Sequence, residues 1–134
     1  MIHYRSGYKY QLVADYSVQT PIMPPEQIIT KFISLRPDGL LFVADGYAFD
    51  GPSGPAIDTR NAMRGSLIHD ALYQLIRLGH LPDTGREQAD QEYRRICLED
   101  GMSSFRAWYQ FTALRAFGAE AAKPHSEPEV LTAP

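Results

Sequence analysis

The sequence predicts an α+β fold: a small N-terminal antiparallel β-sheet followed by a three-helix core. Three observations carry this. Residues 1–59 hold short β-branched and aromatic runs punctuated by Pro21, Pro24, Pro25, Pro37, Pro52 and Pro55, and proline is excluded from central strands and helix interiors. From about residue 60 the apolar residues recur at helical spacing. Gly79, Gly101 and Gly118 then stand where such helices would stop.

The elements follow in order. Residues 8–13, Tyr-Lys-Tyr-Gln-Leu-Val, alternate aromatic and polar side chains and suit a strand. Residues 21–25 are a proline loop. Residues 28–35, from Ile28 to Leu35, are β-branched and apolar and read as one strand. Residues 36–39, Arg-Pro-Asp-Gly, are turn chemistry: Pro37 presets φ and Gly39 closes the turn. Residues 40–44 return as the partner strand of a hairpin. Residues 49–55, Phe-Asp-Gly-Pro-Ser-Gly-Pro, form a shaped loop. The first helix carries Ala62, Met63, Leu67, Ile68, Ala71, Leu72, Leu75, Ile76 and Leu78 and ends at Gly79. A loop over 79–85 with Pro82 leads to a second helix over about 86–100. Ser103 is a fair N-cap for the third, which bears Phe105, Trp108, Tyr109, Phe111, Leu114 and Phe117. These aromatics read as core plus an exposed flank.

With 134 residues the chain is expected to form a single domain over 1–123, with a loose Pro/Glu-rich tail over 124–134. Hydrophobic residues make up 44% and charged residues 22%, ordinary globular stock. The net charge of −3 argues against a general nucleic-acid binder, which needs a basic patch. Cys97 is the one cysteine, so no intramolecular disulfide can form. Residues 1–5 have no apolar h-region, so export by a signal peptide is not expected.

The chemistry concentrates on the first two helices. His69 stands at the border of a polar strip, and Tyr73 follows one turn later on the same face. On the second helix, Asp90 sits at the edge of the apolar stripe of Ala89, Tyr93, Ile96 and Cys97. The short 79–85 link makes the two helices antiparallel neighbours. A carboxylate on a packing face needs a partner, and His69 is the obvious one. An Asp bonded to one ring nitrogen fixes the tautomer and leaves the other nitrogen as a base. The same pair could instead simply tie two helices. Asp70, beside His69, and the loop over 50–55 offer carboxylate and carbonyl oxygens, which suit Ca²⁺ better than Zn²⁺. Asp70 could equally pair with Arg77 or Arg64. A His–Asp phosphohydrolase needs further upstream histidines, and only His3 precedes His69.

These motifs together resemble two families. Asp50-Gly51-Pro52-Ser53-Gly54-Pro55, His69-Asp70-Ala71-Leu72-Tyr73 and Ala89-Asp90 resemble a family of small phage and prophage proteins defined as a domain of unknown function. Its D-x-x-S-x-P loop, H-D-x-x-Y helix, A-D helix and terminal F-G helix span residues 28–118, and Arg115-Ala116-Phe117-Gly118 fits the end. More distantly, the loop and the two helices are similar to the catalytic core of secreted phospholipases A2. That resemblance implies a phospholipase A2-like helical core. His69 would be the general base that activates water, Asp90 would orient it, and Tyr73 would brace the network. Asp70 would ligate Ca²⁺, completed by oxygens at Asp50 and Gly51, and the reaction would be sn-2 ester hydrolysis of a phospholipid. Those phospholipases are rich in disulfides; a chain with one cysteine must hold such a site by packing alone or within a larger assembly. The expectation is a phage-encoded hydrolase acting on a phospholipid membrane or another ester, in the virion or the host cytoplasm, with no nucleic-acid partner. The alternatives are a non-enzymatic tail or capsid accessory protein bound to other virion proteins, or an envelope (peptidoglycan) hydrolase.

Overall fold

A computed structural model of the chain describes residues 2–5, 10–49 and 60–123. The architecture is α+β, with small antiparallel sheets followed by three long helices. The strands are β1 (Tyr4–Arg5), β2 (Tyr10–Leu12), β3 (Tyr16–Gln19), β4 (Ile28–Ile29), β5 (Ile33–Leu35), β6 (Leu40–Val43) and β7 (Ala48–Phe49). The helices are α1 (Arg60–Arg77), α2 (Arg86–Glu99), α3 (Ser104–Phe117) and the single turn α4 (Ala119–Ala122). The described residues fall into two compact units, divided after Phe49.

The first unit holds two sheets. One has the order β1-β2-β7, with Tyr4 opposite Leu12 and Tyr10 opposite Phe49. The other has the order β3-β6-β5-β4, all antiparallel. The hairpin β5–β6 closes at residues 36–39, where the sequence places it. Gly39 sits at φ +92°, and a Cβ there would lie 2.1 Å from the Thr20 carbonyl oxygen, so only glycine fits. Ile33, Leu35, Leu41 and Val43 point to the same buried face, as a period of two requires.

Two features of this unit differ from the sequence reading. The run 28–35 is not one strand. The Thr30 amide and hydroxyl both donate to the Ile33 carbonyl, at 2.8 and 2.9 Å, and fold the segment into a tight turn between β4 and β5. Thr30 thus competes with the sheet ladder for its own neighbours. β1, β3 and β7 have no counterpart in the sequence reading, although Tyr16 and Val18 of β3 alternate with the exposed Ser17 and Gln19; Phe49, assigned there to the loop over 49–55, pairs with Tyr10 in β7.

In the second unit the helix stops fall at the expected glycines. Gly79 and Gly101 take φ +83° and +99°, the left-handed conformation that ends a helix. Ser103 caps α3, its hydroxyl accepting from the Arg106 amide at 3.2 Å. α1 is buried along nearly its whole length, from Ala62 to Ile76. Leu67, Ile68, Leu72 and Leu75 are fully excluded from water, each burial worth about 1.5–3 kcal/mol. α1 and α2 approach closely at Gly65, where a Cβ would lie 2.7 Å from Cys97 Sγ. Ala62, Tyr93, Cys97, Met102 and Ala107 form one buried cluster, with Leu114 packed against it. α3 departs from its expected mixture of core and flank: its buried residues are Ala107 and Gln110, and Phe105, Trp108, Tyr109 and Phe117 are exposed. Gln110 accepts the Tyr93 hydroxyl, which makes its burial tolerable.

Candidate active site

The antiparallel pairing of α1 and α2 brings three of the predicted residues to one point. His69 Nε2 lies 2.7 Å from Asp90 Oδ1, and both residues are buried. The Tyr73 hydroxyl donates to the same oxygen at 2.7 Å. The rings of His69 and Tyr73, one helical turn apart, have centroids 4.1 Å apart. Tyr93 of α2 meets the His69 ring edge-on at 5.8 Å. The imidazole is therefore held by a hydrogen bond on one side and by aromatic rings on others.

The other oxygen of Asp90 takes a partner that the sequence reading missed. Arg115, in the last turn of α3, donates from Nη1 to Asp90 Oδ2 at 2.9 Å. Arg86, at the start of α2, is missed as well. It donates from Nε to the Tyr73 oxygen at 3.1 Å, and its Nη2 is 3.9 Å from Asp90 Oδ2. That same Nη2 donates to the Leu114 and Arg115 carbonyls, both at 3.1 Å. These belong to the carbonyls a helix end leaves without intrahelical partners. Gly118 has a further role beyond ending α3: a Cβ there would lie 2.6 Å from the Tyr73 hydroxyl, so glycine makes room for the phenol. No local pattern marks Arg115. A fully buried carboxylate does, however, call for a compensating cation, and that requirement was the available signal.

The electrostatics follow from these contacts. Burial pushes the Asp90 carboxyl up, but the hydrogen bonds from His69 and Tyr73, the charge of His69 and the bond from Arg115 outweigh it and hold it below the usual carboxylate range. Asp90 is thus ionised and can only accept. The proton in the bond to His69 consequently belongs to Nε2, so in the neutral imidazole the lone pair is on Nδ1. Tyr73 is pushed up by burial and by the neighbouring Asp90 carboxylate, against the opposing pull of Arg86, and stays a neutral donor. Arg86 is raised chiefly by its bond to Tyr73 and stays charged.

His69 Nδ1 points towards Asp70. The separation from Asp70 Oδ1 is 4.0 Å, beyond hydrogen-bonding distance, and Nδ1 makes no hydrogen bond among the described residues. Asp70 is half-buried, and Arg64 turns to Glu99 and Asp100 at 2.8 and 3.0 Å. The other predicted calcium donors, Asp50 and Gly51, lie outside the described residues. Among the described residues, no group of three or more His, Cys, Asp or Glu side chains is disposed to hold a metal ion. Ca²⁺ takes about 6–8 oxygen ligands, so Asp70 by itself is one donor of the right chemistry and not a site.

Compared with protein-family models, with curated proteins and with solved structures, the chain matches none.

Proposed function

We propose that this chain is a phage-encoded hydrolase with a phospholipase A2-like His–Asp site, acting on the ester of a phospholipid in the virion or the host cytoplasm. The observation that carries the reading is the 2.7 Å bond from His69 Nε2 to the buried Asp90. In the neutral imidazole that bond puts the proton on Nε2 and leaves the lone pair of Nδ1 on the side of a second carboxylate, Asp70. In the proposed reaction a water donates its proton to Nδ1 while its oxygen attacks the ester carbonyl. The tetrahedral intermediate then collapses, and the leaving alkoxide takes the proton back from Nδ1. Asp90 steadies the imidazolium between these steps, and Tyr73 and Arg115 keep Asp90 in place. General base catalysis of this kind contributes about 10²–10⁴-fold. Ca²⁺ held by Asp70, with oxygens of Asp50 and Gly51, would supply a Lewis-acid pull on the carbonyl oxygen.

A second reading is supported by the same bond, since it joins two buried helices: a tail or capsid component that keeps the pair only to tie α1 to α2. One experiment separates them. Mixed phospholipid vesicles are incubated with the wild-type protein and with His69→Gln, in Ca²⁺ and in chelator, beside a peptidoglycan digest. We expect fatty-acid release by the wild type and a loss of at least about 100-fold in the variant. Equal release by both proteins would overturn the phospholipase reading, and clearance of peptidoglycan instead would move the site to an envelope hydrolase.

A further inference from the structure

We infer that Gln110 of α3 is a positioning residue for His69, acting through Tyr93, so that one helix holds the imidazole at two points. Among the described residues α3 buries only Ala107 and Gln110, and Leu114 stands on the same stripe. A buried amide on so narrow a packing face is costly unless it is bonded. Gln110 is 5% exposed, and its Oε1 accepts the hydroxyl of Tyr93, itself 4% exposed. Burial raises the Tyr93 phenol, and Cys97 adds to the effect, so the hydroxyl keeps its proton and donates.

The Tyr93 ring is the link to the chemistry. It meets the His69 ring edge-on, with centroids 5.8 Å apart and planes at 72°. It also lies against α1 one turn before His69, since a Cβ at Gly65 would be 3.2 Å from Tyr93 Cδ1. The ring is thus braced along α1, and its hydroxyl end is pinned by α3. Arg115 reaches the same imidazole by a second route, through Asp90. One hold is a charge, the other a neutral hydrogen bond. Joining α2 to α3 does not need the second hold, because replacing both partners of a buried hydrogen bond by apolar groups of the same shape can be nearly neutral. What the bond adds is direction. It fixes the angle of the phenol ring, and with it the wall against which the imidazole rests. In giving that imidazole a reaction to perform the inference rests on the hydrolase reading; the positioning itself does not.

The double variant Tyr93→Phe with Gln110→Leu removes the bond and keeps both shapes, and Tyr93→Phe alone breaks it with the least change. For each, kcat and KM are measured on mixed phospholipid vesicles and the unfolding midpoint in urea. NMR gives the rate at which the His69 Nε2 proton exchanges with water, its resonance being the one that His69→Gln lacks. We expect kcat to fall about 10–100-fold with KM unchanged, as misplacing a catalytic group does. Exchange of the Nε2 proton quickens by about tenfold, while the midpoint of the double variant stays that of the wild type. Gln110→Glu keeps an acceptor for the phenol and recovers most of the loss, which a role in packing alone would not produce. Wild-type exchange in either variant overturns the inference, as does wild-type kcat. Losses that merely follow the unfolded fraction in urea overturn it too. If the wild type cleaves no ester, the phospholipase reading fails and the exchange rate alone decides on Gln110. Ester cleavage by the wild type with unchanged exchange in the variants does the reverse.

Discussion

Replacing Asp90 by asparagine tests the core of the site without changing its shape. The carboxylate takes two donors on Oδ1, from His69 and Tyr73, and one on Oδ2, from Arg115. Asparagine has one acceptor oxygen and one donating amide. Whichever way it turns, an N–H faces a donor. If the oxygen stays towards His69 and Tyr73, the bond to Arg115 is lost and two charge-assisted bonds become neutral ones. Hydrogen bonds to charged groups contribute about 1.5–3 kcal/mol each. The Arg115 side chain is 34% exposed and can turn partly to water, so its share is discounted. The net expectation is a loss of about 2–4 kcal/mol, or a fall in Tm of roughly 6–16 °C for a chain of this size. Urea unfolding followed by far-UV circular dichroism reads it. A companion Arg115→Met keeps the side-chain stem and removes the cation. In that background Asp90→Asn leaves no donor facing a donor on the Oδ2 side, and its cost falls by about 0.5–3 kcal/mol. An Asp90→Asn variant within about 0.5 kcal/mol of wild type, or an equal cost in both backgrounds, refutes the reasoning.

Two further outcomes are expected. Gly65→Ala, which in an exposed helix would gain about 0.5–1 kcal/mol, here loses about 1–3 kcal/mol because the new methyl meets Cys97 Sγ at 2.7 Å; the double variant with Cys97→Ala recovers part of the loss in the same unfolding assay. Stability as a function of pH carries a signature of Asp90, whose folded carboxyl lies below its ordinary 3.8. A lowered value means that its contribution is complete above pH about 4 and is lost as pH falls through the folded value. Acid titration of unfolding therefore shows a steeper loss below pH about 4 in the wild type than in Asp90→Asn, and parallel curves would show that Asp90 does not contribute it.

The helical half was legible because its signals are local and agree with one another. The spacing of apolar residues, the glycine stops and the Ser103 cap each fix one boundary. The 79–85 link is too short for anything but antiparallel neighbours, and that constraint joined His69 to Asp90 across 21 positions. The sheet half was less legible because its strands are two to four residues long. At that length one hydroxyl, Thr30, decides whether a β-branched run continues or turns. Arg115 was hidden for a different reason. It reaches Asp90 from 25 positions away, and nothing within α3 distinguishes an arginine that serves a buried acid from one that serves solvent. The aromatics of α3 were legible only as core plus an exposed flank; the structure puts Phe105, Trp108, Tyr109 and Phe117 on the flank and leaves the core contacts to Ala107, Gln110 and Leu114.

The junction formed by Tyr73, Arg86, Asp90, Arg115 and Gly118 has a consequence for how such chains can diverge. A variant that loses the acid strands the arginine, one that loses the glycine collides with the phenol, and one that loses Arg86 strips the end of α3 of its cap. No single replacement is neutral, so these positions are bound to drift as a set. A distant sequence that keeps the H-D-x-x-Y helix but places leucine at the position of Arg115 should also have exchanged Asp90 for a neutral residue. Such linked exchanges would trace the ancestry of this three-helix joint more faithfully than overall identity.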